Sequence, residues 1–258
     1  MFNKKLIKLG FVSIAVLGLS TKLSTNIVQA STTKNVDITT VNKSTKKVVS
    51  RKTTVTGHRS LAQGVPEPLP NETGDSLATP TLGIKYITTS VTYNYATNVS
   101  TPYKKVYKNA INTWNYQLKQ AGINVQFKYQ KVNPQVSLNQ ALFILNTPPT
   151  SGDTFLVIGL TQQSWYHVAF LDDSYPTRNS TVTLFSGIMA ETGFTTKQKE
   201  EVATHELGHV LGLGHNTKVT NDSMQPVLLP NVKYKITSHD LASVKQLYGL
   251  KGVTHYGK

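Results

Sequence analysis

The chain has 258 residues, a formal net charge of +14, seven histidines and no cysteine. That length accommodates one domain of ordinary size with appendages. The missing thiols exclude disulfides, cysteine nucleophiles and thiolate metal ligands, so any metal must be held by His, Asp or Glu.

The first thirty residues read as a secretory signal peptide. "MFNKKLIK" is basic, "LGFVSIAVLGL" (9–19) is apolar but too short to span a bilayer, and Val28 and Ala30 form a V-x-A cleavage signature. The long lysine-bearing leader and the absence of cysteine point to a bacterial, Gram-positive exporter. No second apolar run reaches membrane-spanning length, so an extracellular protein without a transmembrane segment is expected. Removing residues 1–30 takes away four lysines and no acids, which leaves a net charge of +10.

Residues 31–81 are rich in Thr, Ser, Lys and Pro, a composition that buries too little apolar surface to offset ordering entropy. They are expected to form a disordered linker or propeptide. Seven Lys and Arg stand against Asp37 alone in residues 31–60. The plain reading of that charge is solubility, and electrostatic association with anionic cell-wall polymers is the functional alternative. No nucleic-acid-binding motif accompanies it, so nucleic acid is not an expected partner.

Regular patterning starts near Leu82 and defines a domain over 82–258. "IKYITTSVTYNY" (84–95) has the β-branched and aromatic content of a strand. Thr101 is a candidate helix cap and Pro102 suits the first helical position. Tyr103, Val106, Tyr107, Ala110, Ile111, Trp114, Leu118 and Ala121 then recur at helical spacing, and Gly122 ends the helix. Strands are expected at 124–130, 141–146, 154–160 and 181–186. A second helix opens with a capping box between Thr195 and Gln198 and carries Val202, Ala203, Leu207, Val210 and Leu211. A third helix spans "TSHDLASVKQLYG" and stops at Gly249. The order predicts an α+β fold of mixed layers.

The second helix contains "HELGHVLGLGH" (205–215). His205 and His209 lie four apart, so both imidazoles leave one face of the helix within reach of one zinc ion. Glu206, rotated about 100° from His205, flanks the metal as a base. A catalytic zinc needs a third protein ligand. No glutamate follows Glu206, which leaves Asp222, Asp240 or His215. His215 is the best placed, because Gly212 and Gly214 let the chain leave the helix and turn back.

These residues, followed by "NDSMQP" with Met224, resemble the metzincin metalloproteases, and Met224-Gln225-Pro226 is similar to the Met-turn of the matrixin branch. The resemblance covers roughly 82–250. It implies a zincin domain with a twisted, mostly parallel sheet of about five strands, an active-site helix and two further helices. It also implies a secreted, monomeric zinc endopeptidase acting on proteins or peptides, with His205, His209 and His215 as ligands and Glu206 as the catalytic base.

By the same resemblance, Asp240 supports the Met-turn, Pro226–Leu228 wall the pocket beyond the scissile bond, and "TVTLFS" is the edge strand that aligns substrate. Asn216 departs from the usual Ser after the third histidine, and a cysteine-switch propeptide is impossible here. Mammalian matrixins hold a second zinc with several histidines. Only His167 precedes the motif in this domain, so one zinc is expected; a packed or surface histidine is the plain reading of His167. Asp153, Asp172 and Asp173 could take Ca2+ as in similar proteases, although paired loop aspartates are usually solvated. Two rival functions stay open: a zinc-bearing adhesion module with little turnover, and a protease whose main substrate is its own 31–81 segment.

Overall fold

The computed structural model describes residues 34–42, 47–55, 68–142, 146–147, 155–166, 174–226 and 232–249. Residues 1–30, expected to be a signal peptide, and His167, Asp153, Asp172, Asp173 and Val227–Leu228 lie outside them. Nine strands among the described residues form one sheet. Its centre consists of β4 (Ser90–Tyr95), β5 (Gln126–Tyr129), β6 (Val136–Ala141), β8 (Phe155–Trp165) and β9 (Tyr175–Phe185), in the order β5-β4-β6-β9-β8. Neighbours among β5, β4, β6 and β9 are parallel, and β8 alone of the five runs antiparallel. This is the mostly parallel five-stranded sheet that the sequence implied. Two short strands, β3 (Ile84–Lys85) and β7 (Asn146–Thr147), pair with β9 and β8.

Helix α1 (Thr101–Gln120) connects β4 to β5, the crossover that parallel neighbours require. Its predicted stripe of Tyr103, Val106, Tyr107, Ala110, Ile111, Trp114 and Leu118 is buried. The cap position falls on Ser100 rather than Thr101, without a side-chain cap bond, and Gly122 takes the positive φ of 66° that ends the helix. A short helix, α2 (Ser186–Glu191), follows β9. Helix α3 (Thr196–Val210) starts at the complete Thr195–Gln198 capping box, and α4 (Ser238–Gly249) closes the described chain. Trp114 joins α1 to α3 by donating its indole N–H to the Thr204 carbonyl at 2.8 Å. Among the described residues no helix is long and apolar enough to cross a membrane.

Several sequence expectations shift. The run 84–95 divides into β3 and β4. The strand expected at 141–146 falls in part on residues 143–145, which lie outside the described ones; β6 lies upstream in "VSLNQA", where only Val136 and Leu138 are buried, and its polar alternation hid it. "TVTLFS" belongs to β9, which is enclosed between β6 and β8 and cannot be an edge. The antiparallel strand beside helix α3 is β8.

Upstream residues expected to be linker are also placed. Lys34–Asn42 (β1) and Lys47–Val55 (β2) form an antiparallel pair, and β1 pairs in turn with β8. Their Val, Ile and Thr content suits strands once a neighbouring edge supplies the ladder. Residues 75–82 lace the zinc-motif loop to α4. Leu82 N–H donates to the Gly212 carbonyl at 2.7 Å, Gly214 N–H to Pro80 at 2.6 Å, and Asp75 pairs with His239 at 2.6 Å. Composition misses this segment because hydrogen bonds, rather than large apolar side chains, hold it.

Candidate metal centre

Helix α3 delivers His205 and Glu206 in one turn and His209 in the next. Gly212 ends it at φ 92°, a conformation that side-chain-bearing residues avoid. A Cβ at Gly212 would also collide with the Ile84 carbonyl. The chain then reverses and brings His215 back to the other two. Ligand atoms of His205, His209 and His215 all lie within 4.8 Å of one another, and the ring centroids are 4.6, 5.3 and 4.9 Å apart. His205 and His209 are buried and His215 is half-buried.

Backbone carbonyls select the tautomers. Nδ1 of His205 lies 2.8 Å from the Ser223 carbonyl, and Nδ1 of His209 lies 2.8 Å from that of Leu213. A carbonyl only accepts, so each Nδ1 carries the proton and each Nε2 presents a lone pair. Those two Nε2 atoms are 3.0 Å apart. Two nitrogens bound tetrahedrally at about 2.0–2.1 Å would be roughly 3.3 Å apart, so the donor set fits a zinc ion. Burial, with His209 adding to it, holds His205 well below the usual imidazole range and therefore in its neutral, ligating form.

Glu206 is fully buried between α3 and β8. Its Oε2 accepts a 2.6 Å hydrogen bond from Thr161 Oγ1. Gly159, two residues earlier on the same face of β8, leaves room for this carboxylate; a Cβ there would overlap Oε1. The Tyr107 hydroxyl donates to the Asn139 carbonyl at 2.7 Å. Burial first, and the Glu206 charge second, raise that phenol well above its usual range. Glu206 is oriented by the Thr161 hydroxyl beside the triad.

The sequence model of the matrixin family matches residues 85–249, which include the whole triad. The chain belongs to the matrixin family. Metalloendoproteinase 4-MMP of Arabidopsis thaliana is 47% identical over 51 residues, covering 19% of this chain and 15% of that protein. Metalloendoproteinase 1-MMP of the same plant is 49% identical over 51 residues, covering 19% of this chain and 14% of its own length. The similarity thus spans a small fraction of either relative.

In this matrixin the turn carrying Met224 is fixed by polar side chains. Asp222 Oδ1 accepts from Met224 N–H at 2.7 Å, and Asn216 N–H donates to the Met224 carbonyl at 2.9 Å. Asp222 Oδ2 accepts from Thr237 Oγ1 at 2.7 Å and from Asn216 Nδ2 at 3.3 Å. Asp240 accepts from Thr79 Oγ1 at 2.6 Å, Thr237 N–H at 3.0 Å and Ser223 Oγ at 3.2 Å. Burial, then the adjacent Asp222, push the Asp240 carboxyl well above the usual carboxylate range. This network sets the Ser223 carbonyl against His205 and places Met224 under helix α3. There Gly208 leaves room for the methionine, since a Cβ would overlap its sulfur unless the side chain moved.

Sequence reasoning missed Thr161, Gly159 and Thr79 as parts of the site, and weighed Asp222 as a metal ligand where it instead holds the Met224 turn. Only Asp222 carried a signal, through its place two residues before Met224. The others reach the centre by tertiary packing. Pro226 follows the turn half-buried, and the remainder of the expected pocket wall lies outside the described residues.

Proposed function

We propose that this matrixin is a secreted zinc-dependent endopeptidase that hydrolyses peptide bonds of extracellular proteins. The observation that carries the reading is the buried Glu206 carboxylate, held by Thr161 at 2.6 Å beside three convergent histidines. His205, His209 and His215 would hold one zinc, which when bound supplies a Lewis acid and lowers the pKa of water toward about 7. Glu206 accepts the proton of the attacking water and passes it to the leaving amine. Thr161 keeps the carboxylate turned to that task. Met224 gives the histidines an apolar floor without acting as a ligand.

An extended peptide would run along β8, main chain to main chain, because β8 presents Gly159 and Thr161 over Glu206 and is the strand nearest the base. The signal-peptide pattern of residues 1–30 supports export, and the basic segment that follows supports contact with an anionic wall. An adhesion module would have no use for a buried base, and structural zinc sites are usually closed by a fourth protein ligand. Casein clearing by the secreted chain, compared with Glu206→Ala, tests the reading directly.

A further inference from the structure

The β5 edge of the sheet, remote from Glu206, carries a different chemistry. Between Asp75 and Asp153 the sequence holds seven lysines and no aspartate, glutamate or arginine. All of these lysines except the buried Lys85 are exposed, on α1, on β5 and in the bend after β5. Three tyrosines cluster among them. Tyr93 and Tyr95 lie on one face of β4, and Tyr129 of β5 is the register partner of Tyr93. The Tyr129 ring centroid is 5.8 Å from that of Tyr93 and 6.4 Å from that of Tyr95. Tyr93 is buried, Tyr95 is half-buried and Tyr129 is 53% exposed. Lys104 Nζ lies 6.0 Å from the centre of the Tyr95 ring. The bend bearing Lys131 is fixed from within. Asn94 Nδ2 donates to the Lys131 carbonyl at 2.9 Å, and Gln130 Nε2 donates to those of Val132 at 2.7 Å and Asn133 at 3.1 Å.

We infer that this edge is a docking surface for an anionic polysaccharide, a polymer of sugar rings that bears regularly spaced acidic groups. Charge complementarity is the first argument. Exposed lysines with no acid among them in the sequence attract a polyanion over about a Debye length, roughly 10 Å at 0.1 M salt. Ring chemistry is the second. A tyrosine presents an apolar face with a hydroxyl at its rim, which matches the C–H face and hydroxyl edge of a sugar. Lysines on an edge strand ordinarily serve to prevent strand pairing. Asn115 already blocks pairing here, because its side chain accepts from Phe127 N–H at 2.8 Å and donates to the Phe127 carbonyl at 2.9 Å. That leaves the exposed Tyr129 and the 66% exposed Val132 available for a ligand. Four strand spacings, roughly 19 Å, separate β5 from β8, so a polymer held at β5 leaves the cleft at Glu206 open. The inference rests on the wall contact proposed above, which it moves from the basic segment to the folded domain, and not on the peptidase activity.

The test measures binding of the full chain to polygalacturonate, with uncharged dextran and phosphatidylglycerol vesicles as the other probes. Tyr129→Ala removes the exposed ring, Tyr129→Phe keeps it, and Lys104→Gln/Lys131→Gln removes the flanking charges. None of these residues belongs to the metal centre, and the basic segment is intact in every form. Wild type should bind polygalacturonate in preference to dextran and to the vesicles. Tyr129→Ala should weaken that binding about tenfold, as loss of one stacking ring does, with Tyr129→Phe within about twofold of wild type. The lysine variant should weaken it about tenfold at low salt and flatten its salt dependence. Casein cleavage should be the same in all four forms. Binding that is unchanged in Tyr129→Ala and in the lysine variant overturns the inference and returns the contact to the basic segment. Loss of vesicle binding in those variants with polygalacturonate binding retained overturns it in favour of a membrane. Wild type that ignores polygalacturonate overturns the wall contact and the inference together.

Discussion

Thr161 Oγ1 donates a 2.6 Å hydrogen bond to Glu206 Oε2, linking strand β8 to the catalytic helix at the residue proposed to move protons. The same hydroxyl lies 3.1 Å from the Glu206 carbonyl, so one side chain registers both the helix backbone and the carboxylate against the sheet. Thr161→Val keeps the shape and removes the donor. A hydrogen bond to a charged group contributes about 1.5–3 kcal/mol. We expect kcat to fall about tenfold or more while KM and zinc content stay near wild type, measured by steady-state cleavage and metal analysis. A loss confined to KM would show that Thr161 contacts substrate and does not orient the base.

The packing of Met224 under α3 makes a stability prediction. Gly208→Ala should force the methionine and Trp114 outward, at about 1–3 kcal/mol as for other overpacked cores. Urea denaturation would register this as a lower midpoint with an unchanged slope. A midpoint equal to wild type would mean that the floor of the centre is loosely packed.

Asp240 gives a pH prediction whose sign is fixed by linkage. Its folded-state pKa is raised above the unfolded value of about 3.9. The native state therefore holds the extra proton, and this group's contribution is fully present below about pH 4. It is lost progressively as pH rises through the folded pKa. Asp240→Asn has no proton to lose, so its melting temperature relative to wild type should improve as pH rises from about 5 to about 8. A difference independent of pH would show that Asp240 is ionised in the folded protein.

The paired Nε2 atoms of His205 and His209 lead to a metal prediction. The purified chain should bind one zinc, and a chelator should lower its thermal midpoint reversibly, because the ion stabilises only the folded state. His215→Ala should lose the metal, since among the described residues only His205, His209 and His215 group as possible metal ligands. Two zinc ions per chain would require a second site.

Much of this was legible in the sequence because it rests on local rules. Helix α3 was marked by its capping box, α1 by its aromatic stripe, and the triad by a spacing that only a helix followed by a glycine turn can use. The mostly parallel sheet came from the resemblance, but its order did not. The resemblance made "TVTLFS" the edge strand, and it lies inside the sheet, because pairing partners are set by topology and not by the strand's own residues. The polar β6 and the Thr79 segment were hidden for a related reason. Their stability comes from hydrogen bonds to distant residues such as Asp240, which no local window contains.

The central claim is that Glu206 serves chemistry and the histidines serve the metal, and Glu206→Ala beside His209→Ala tests it most directly. Removing a general base typically costs about 10²–10⁴ in rate. The account predicts that Glu206→Ala retains one zinc and near-normal thermal stability yet cleaves casein at least about 10²-fold more slowly, whereas His209→Ala loses zinc and activity together. Glu206→Ala that keeps most of its peptidase activity, or that loses zinc as readily as His209→Ala, would contradict the account.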